Sequence, residues 1–196
     1  MDLFINGQKL DITLEDEKTA GDVLRSFEKT ADQNRCATVG IKIDGKKIDA
    51  EAFDEAAKAP INNIKRIDLD VVAEDAVCEA FKAAAADIKD TVELLSQIPA
   101  QLQSGGDSKA KASIARLADT VDNFCHIIAL STLFPARFGA ITVDGKNLSA
   151  FFEDFMPIFN DLNGALESGD TVTLGDLAEY EISPRLTALA EAVKRL

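Results

Sequence analysis

Apolar residues change their spacing once along this chain of 196 residues, near position 73, and that change limits what it can fold into. Up to that point they recur at every second position, as in Leu3 and Ile5, in Leu10, Ile12 and Leu14, and in Ile67, Leu69 and Val71. Beyond it they recur every third or fourth, beginning with Val77, Phe81, Ala84, Ile88, Val92, Leu95 and Leu102. Alternation turns one face of a strand inward, whereas the longer period draws a single stripe along a helix. The spacing predicts an α+β chain with a strand-rich part over residues 1–72 and a helical part over 73–196.

The strand-rich part has its turns written in. Asn6-Gly7 separates the first two alternating runs, and Asp44-Gly45 sits inside "IKIDGKKI" at 41–48. Both central positions of such a hairpin loop take positive φ, which Gly accepts freely and Asn or Asp more readily than other side chains. Between the hairpins, Val23, Leu24 and Phe27 have helical spacing, with Thr19 as the cap. "AEAFDEAAKA" predicts a short helix, and "INNIKRIDLDVV" a closing strand with Ile64 at its start. This order of elements, with the opening "MDLFINGQKLDITLEDEKTAGDVL", resembles the β-grasp fold of ubiquitin and the small bacterial sulfur carriers. The resemblance covers residues 1–72 and implies a ubiquitin-like domain. Those proteins end in a free Gly-Gly tail, whereas here the last strand runs straight into "VVAEDAVCEAFKAAAADI". With no terminal glycine to adenylate, the resemblance implies a binding or structural module.

Three more helical stripes follow the first. They run through Ile114, Leu117, Val121, Phe124 and Ile128; through Leu148, Phe151, Phe152, Phe155, Phe159, Leu162 and Leu166; and from Leu174 to Leu196. Breaks at "SGGD", "LFPARFG" and "SGD" separate the stripes, which predicts a four-helix bundle joined stiffly to the first part. Thr173 with Asp176 three residues on reads as a capping pair. Pro99, Pro157 and Pro184 predict kinks or breaks that wrap the helices round a shared core. The alternative is a cleft with carbonyls freed near Glu153 and Tyr180. The helical part also resembles uncharacterised bacterial helical proteins with an ending comparable to "SGDTVTLGDLAEYEISPRL", which implies no activity.

One segment departs from the helical pattern. "ITVDGKNL" at 141–148 nearly repeats residues 41–48, and the likeness extends through "IKIDGKKIDAEAFDE" and "ITVDGKNLSAFFEDF". Gly7, Gly45 and Gly145 keep no constant interval, so this reads as one turn solution used again, with distant duplication as the alternative. Both copies read as strand, turn, cap (Asp49 or Ser149) and helix. An extended segment with a tight turn is predicted at 140–147, and "AITV" is the stretch best suited to pair with another strand.

Acidic residues outnumber basic ones 34 to 21, for a formal charge of −13. Such a field repels phosphate backbones and anionic lipid, so neither nucleic acid nor membrane is expected as a partner. The excess is concentrated in the helical part, which would draw a basic partner first. Cys36, Cys78 and Cys125 lack paired spacing and read as reduced, mostly buried thiols in a cytoplasmic protein. The N-terminus lacks the pattern of a signal peptide, and no apolar run approaches a membrane span.

Residues able to carry chemistry are sparse. His126 is the only histidine; Cys125 beside it points about 100° away around a helix, so the two make no catalytic pair and the histidine reads as structural. Asp176 and Glu179 share a helix face beside Tyr180, the only tyrosine, while Glu181 points elsewhere. His126, Asp176, Glu179 and Tyr180 form the polar candidate set, with a solvated acidic face as the plainer account of the carboxylates. Phosphate-loop, dinucleotide and calcium-loop spacings are absent, so no catalytic, cofactor-binding or metal residue is expected, and no cofactor. In "FFEDFMPIF", Phe151, Phe155 and Phe159 fill a core face. Phe152 and Met156 widen the apolar arc and form the candidate partner-binding or homodimer surface. The expected function is a non-catalytic adaptor or assembly protein acting through protein–protein contacts, of which a secretion or flagellar-type chaperone is one form. The alternative is an enzyme or small-ligand binder with its site in a cleft at the domain junction or beside the proline-bent helices.

Overall fold

The computed structural model describes residues 1–196 apart from Ile12 and Glu15, with Asp107 described by its backbone alone. The expected continuation of the second strand through Ile12 therefore lies outside the described residues. The chain divides into two units, Met1–Ala76 and Val77–Leu196. The division falls inside the first turn of a helix, because the Glu74 amide donates to the Arg35 carbonyl at 2.9 Å and ties that turn to the strand-rich unit.

The first unit runs β1 (Asp2–Ile5), β2 (Gln8–Leu10), α1 (Ala20–Gln33), β3 (Cys36–Ile43), β4 (Lys46–Ile48), α2 (Ala50–Ala56), a 3₁₀ turn at Ile61–Asn63, and β5 (Arg66–Ala73). Its five strands lie in the order β2-β1-β5-β3-β4, with β1 and β5 parallel and the other neighbours antiparallel. Leu3 stands opposite Ile67 and Ile5 opposite Leu69, so alternation sends these four side chains to one face. There Leu3, Ile67 and Leu69 pack against Val23 and Leu24 of α1 in the core. Side chains of the other parity face outward. Arg66 lies over the Phe4 ring at 3.7 Å from its centre and pairs with Asp68, while Lys9 pairs with Asp2 and Lys42 with Asp70.

Both predicted hairpin turns form. Asn6 and Gly7 have φ of 49° and 81°, and Asp44 and Gly45 have 49° and 82°. Each polar turn residue also reaches the central strand. The Asn6 amide donates to the Val71 carbonyl at 2.9 Å and accepts from the Val71 amide at 2.8 Å. Asp44 Oδ1 accepts the Lys65 and Arg66 amides, both at 2.9 Å. Thr19 caps α1 as predicted, accepting from the Asp22 amide while Asp22 accepts from the Thr19 amide, a complete capping box. Asp49 caps α2.

The second unit holds the rest of α3 (Glu74–Leu95), then α4 (Ile98–Gln103), α5 (Asp107–Ser131), α6 (Pro135–Phe138), β6 (Thr142–Val143), β7 (Lys146–Asn147), α7 (Leu148–Ser168), α8 (Thr171–Asp176), a π-helical turn at Leu177–Ile182, and α9 (Ser183–Val193). Two predicted stripes are single helices, α5 and α7. The other two are divided. Pro99 starts α4 instead of bending α3, and it packs against Gly175, where an added Cβ would come within 3.5 Å of its ring. Pro184 falls in the first turn of α9, which continues from the π turn without a break in the helical backbone. Pro157 lies in the interior of α7.

The π turn precedes Pro184. Its geometry shows in the Ser183 amide, which donates to the carbonyl five residues back, Ala178. Arg185 takes the Glu181 carbonyl and carboxylate at 2.8 and 2.6 Å. Two predicted caps are corrected. Asp170, not Thr173, caps α8, with Thr173 as the donor three residues on. Asn147, not Ser149, caps α7 and accepts the Ala150 amide.

Residues 140–147 form the predicted tight turn, with Asp144 and Gly145 at φ of 51° and 79°. The "AITV" stretch is already engaged: β6 pairs with β7, and Ile141 and Val143 are buried where the hairpin meets α7 and α9. The core of this unit is aromatic. Phe81 of α3 meets Phe124 of α5 and Phe138 of α6; Phe124 stacks on Phe152 of α7; and Phe151, Phe155 and Phe159 continue the series along α7. Phe134 joins through Phe138.

Candidate functional site

Of the polar candidates, Asp176, Glu179 and Tyr180 lie together on the surface of one helical stretch, and His126 lies on a different helix. His126 is exposed on α5, one residue past the exposed Cys125 and two past the buried Phe124. Asp176 and Glu179 are exposed on α8 and the π turn, and Tyr180 is 65% exposed. Glu179 acts on Tyr180 by charge and by a hydrogen bond, and with Asp176 it raises the phenol above its ordinary value, away from use as a base. Among the described residues no group of three or more His, Cys, Asp and Glu side chains could hold a metal ion.

The cysteines depart from the expectation of mostly buried thiols. Only Cys78 is buried; Cys36 is half-buried and Cys125 exposed, because the period of α5 that turns Phe124 inward leaves its neighbour outside. Partial burial, and then the Asp122 carboxylate, push the Cys125 thiol up, which keeps it protonated and poorly nucleophilic.

The aromatic patch separates into two parts. Phe151 and Phe155 are buried and Phe159 half-buried, as predicted. Phe152 is also half-buried, its ring stacked 5.9 Å from that of Phe124. Of the pair expected to face a partner, Met156 is the one left open, at 50% exposure.

Concave surface lies elsewhere, on residues outside the candidate set. In the first unit a groove of about 460 Å³ opens between α1 and the β1–β2 side of the sheet. Leu3, Ile5, Val23, Phe27 and Val71 line it, and Leu10 and Leu14 stand at its mouth, 40% and 37% exposed. In the second unit a groove of about 390 Å³ lies between α3 and the end of α9. His126, Asp176, Glu179 and Tyr180 line neither. A signal for the first existed in Leu10 and Leu14, an alternating run whose apolar side chains exceed what the short β2 can bury.

One further polar cluster lies in the helical unit. Thr91 of α3 and Thr120 of α5, both buried, share a hydrogen bond of 2.9 Å. Thr120 is also 3.1 Å from Asp87, whose carboxylate pairs with Arg116. Every member has a partner, so this cluster joins two helices and leaves no group free for a substrate.

No helix among the described residues is long and apolar enough to cross a membrane. Residues 1–73 match the family model described as the TP0873 N-terminal domain. An uncharacterized protein of Treponema pallidum (strain Nichols) is 24% identical over 193 residues, which cover 98% of this chain and 96% of that protein. The likeness to that bacterial protein therefore runs through both units. No solved structure matches the chain. The model of the domain of unknown function DUF8042 matches residues 79–192, more than half of the length, and the chain belongs to that family.

Proposed function

We propose that the chain is a non-catalytic adaptor or assembly protein, a β-grasp head followed by an acidic four-helix bundle whose first and fourth helices are divided. The strand order β2-β1-β5-β3-β4 supports the β-grasp reading. One observation carries the function: neither apolar groove is lined by any of the four polar candidates, all of which are exposed. Catalysis needs titratable groups held in a concave site, whereas recognition of a protein needs apolar concavity with a polar rim. A secretion or flagellar-type chaperone is one form of this role, and self-association another.

The test is co-purification of the full chain from native cells, with native mass spectrometry of what it carries. The expected result is a protein partner at fixed stoichiometry, reduced by Leu10→Asp with Leu14→Asp at the mouth of the first groove. A chain recovered alone and monomeric, or with stoichiometric metal, would sink the proposal. A second reading rests on the size of the first groove, which falls within the range of about 300–1,000 Å³ typical of small-ligand sites. An apolar small molecule found in the same spectra would favour it.

A further inference from the structure

The groove between α3 and α9 lies wholly within the helical unit. Its floor is small and buried: Ile88 is fully enclosed, and Ala85 and Ala190 nearly so. Its rim carries Lys82, Lys89 and Lys194 against one acid, Glu191. Residues 73–196 hold 19 acids and 10 bases, so three of those ten bases are gathered here. The groove thus reverses the sign of the more acidic part of the chain. Exposed charges lose sight of one another over about 8 Å in physiological salt, so a bound segment meets these lysines more than it meets the net charge.

The dimensions suit one kind of occupant. From Lys82 to Val92 the wall formed by α3 extends about 15 Å at 1.5 Å per residue. Apolar anchors at i, i+3 or i+4, and i+7 of a docked helix extend about 10 Å, and the alanines let its backbone come close. Lys89 has no ion pair among the described residues. Lys82 pairs with Glu79 at 2.9 Å and Lys194 with Glu191 at 3.6 Å, both exposed pairs that a competing carboxylate displaces at little cost. We infer that this groove receives an amphipathic helix of a protein partner whose apolar stripe is flanked by Asp or Glu. The inference rests on the protein-binding function proposed above and names the chemistry of the partner.

A displayed library of helical peptides tests it, with apolar residues fixed at i, i+3, i+4 and i+7 and the flanks randomised, selected on the full chain. The expected result is enrichment of Asp and Glu in the flanks. Fluorescence anisotropy of the best peptide should then show binding weakened by about tenfold or more in K82Q/K89Q/K194Q. Ala86→Phe, which fills the groove from an exposed position, should weaken it independently, with circular dichroism confirming that both variants fold. No enrichment, basic or unbiased flanks, or binding indifferent to both variants overturns the inference. So does a dimer of the chain dissolved by K89Q, which puts a second copy in the groove. If the peptides fail while the full chain still captures a partner from extract, undisturbed by these variants, the groove assignment falls and the adaptor function stands. If no partner is captured either, both fall.

Discussion

The two units build their interiors from different side chains. The core of the first is aliphatic, with Leu3, Val23, Leu24, Ile64, Ile67 and Leu69 at its centre and Phe27 at its margin. Phe4 lies outside under Arg66, and Phe53 is exposed. In the second unit every phenylalanine, eight in all from Phe81 to Phe159, belongs to one connected series of rings. The difference teaches how each unit fixes its register. Strands are registered by ladder hydrogen bonds and by turn residues that reach β5, so small aliphatic side chains suffice to fill the space under α1. Helices share no such ladder. Large rings meeting at tilted angles set where α3, α5, α6 and α7 touch.

Removing the most enclosed ring of that series is the strongest way to break the comparison. Phe155 is fully buried and touches Phe151, Phe152 and Phe159. Phe155→Ala should lower unfolding free energy by about 3–5 kcal/mol in urea titration. Phe155→Leu restores much of the volume but not the ring contacts, and should recover only part of the loss. Full recovery would mean that the rings merely fill space.

The buried hydroxyl pair offers a smaller lever. Thr120→Val strips Asp87 and Thr91 of a partner and should cost about 1–3 kcal/mol. Adding Thr91→Val should cost less than the sum of the two singles, since two apolar side chains then face each other. An additive double mutant would show that the hydroxyls act separately and that only the rings join α3 to α5.

What could be read before the structure follows the same division. Period-two spacing and the Asn-Gly and Asp-Gly turns are local signals, and they give the first unit's strands in order. The helical stripes locate the helices and their prolines predict kinks or breaks, without saying which. Pro99 starts α4 while Pro184 follows the π turn within one helical run, a distinction that rests on contacts such as Pro99 against Gly175. The groove between α3 and α9 was illegible for a stronger reason. A concavity is made by what two elements leave unfilled, as Ala85 and Ala190 do between α3 and α9, and periodicity reports only which side of one element is apolar.

The three similar turns sharpen the comparison at a lower energy. Gly45 and Gly145 share φ near 80°, and an added Cβ would meet nothing within 4 Å at either. Alanine at each should therefore cost the same, about 1–2 kcal/mol, from backbone strain alone. The aspartates beside them should differ. Asp44 accepts two amides at the start of β5, so Asp44→Ala should cost about 1–2 kcal/mol. Asp144 has no such tether among the described residues, and Asp144→Ala should leave stability nearly unchanged. Equal losses at both would mean that the turn alone, not its reach to β5, sets the register of the sheet.

The smallest effect concerns two helix starts that use the same residue pair in opposite order. In α1 Thr19 is the cap and Asp22 stands three residues on; in α8 Asp170 is the cap and Thr173 stands three residues on. Thr19→Ala should cost about 1 kcal/mol at neutral pH. Asp22 receives the Thr19 hydroxyl, the Lys18 and Thr19 amides and Arg25, which together hold its carboxyl far below the usual carboxylate range. Asp170 receives the Thr173 hydroxyl and amide, and is lowered as well. A carboxyl whose folded value is depressed adds stability that is fully present above its unfolded value, about 3.9, and is lost as pH falls through the lower folded value. The advantage of the native chain over Asp22→Asn should therefore hold from pH 7 to about pH 4 and shrink below that in urea titrations. Asp170→Asn should follow the same course with smaller amplitude, having fewer donors. Parallel curves for native chain and Asp22→Asn down to the acid limit would show that the carboxylate's charge adds nothing to the box, and that the two caps are equivalent despite their reversed order.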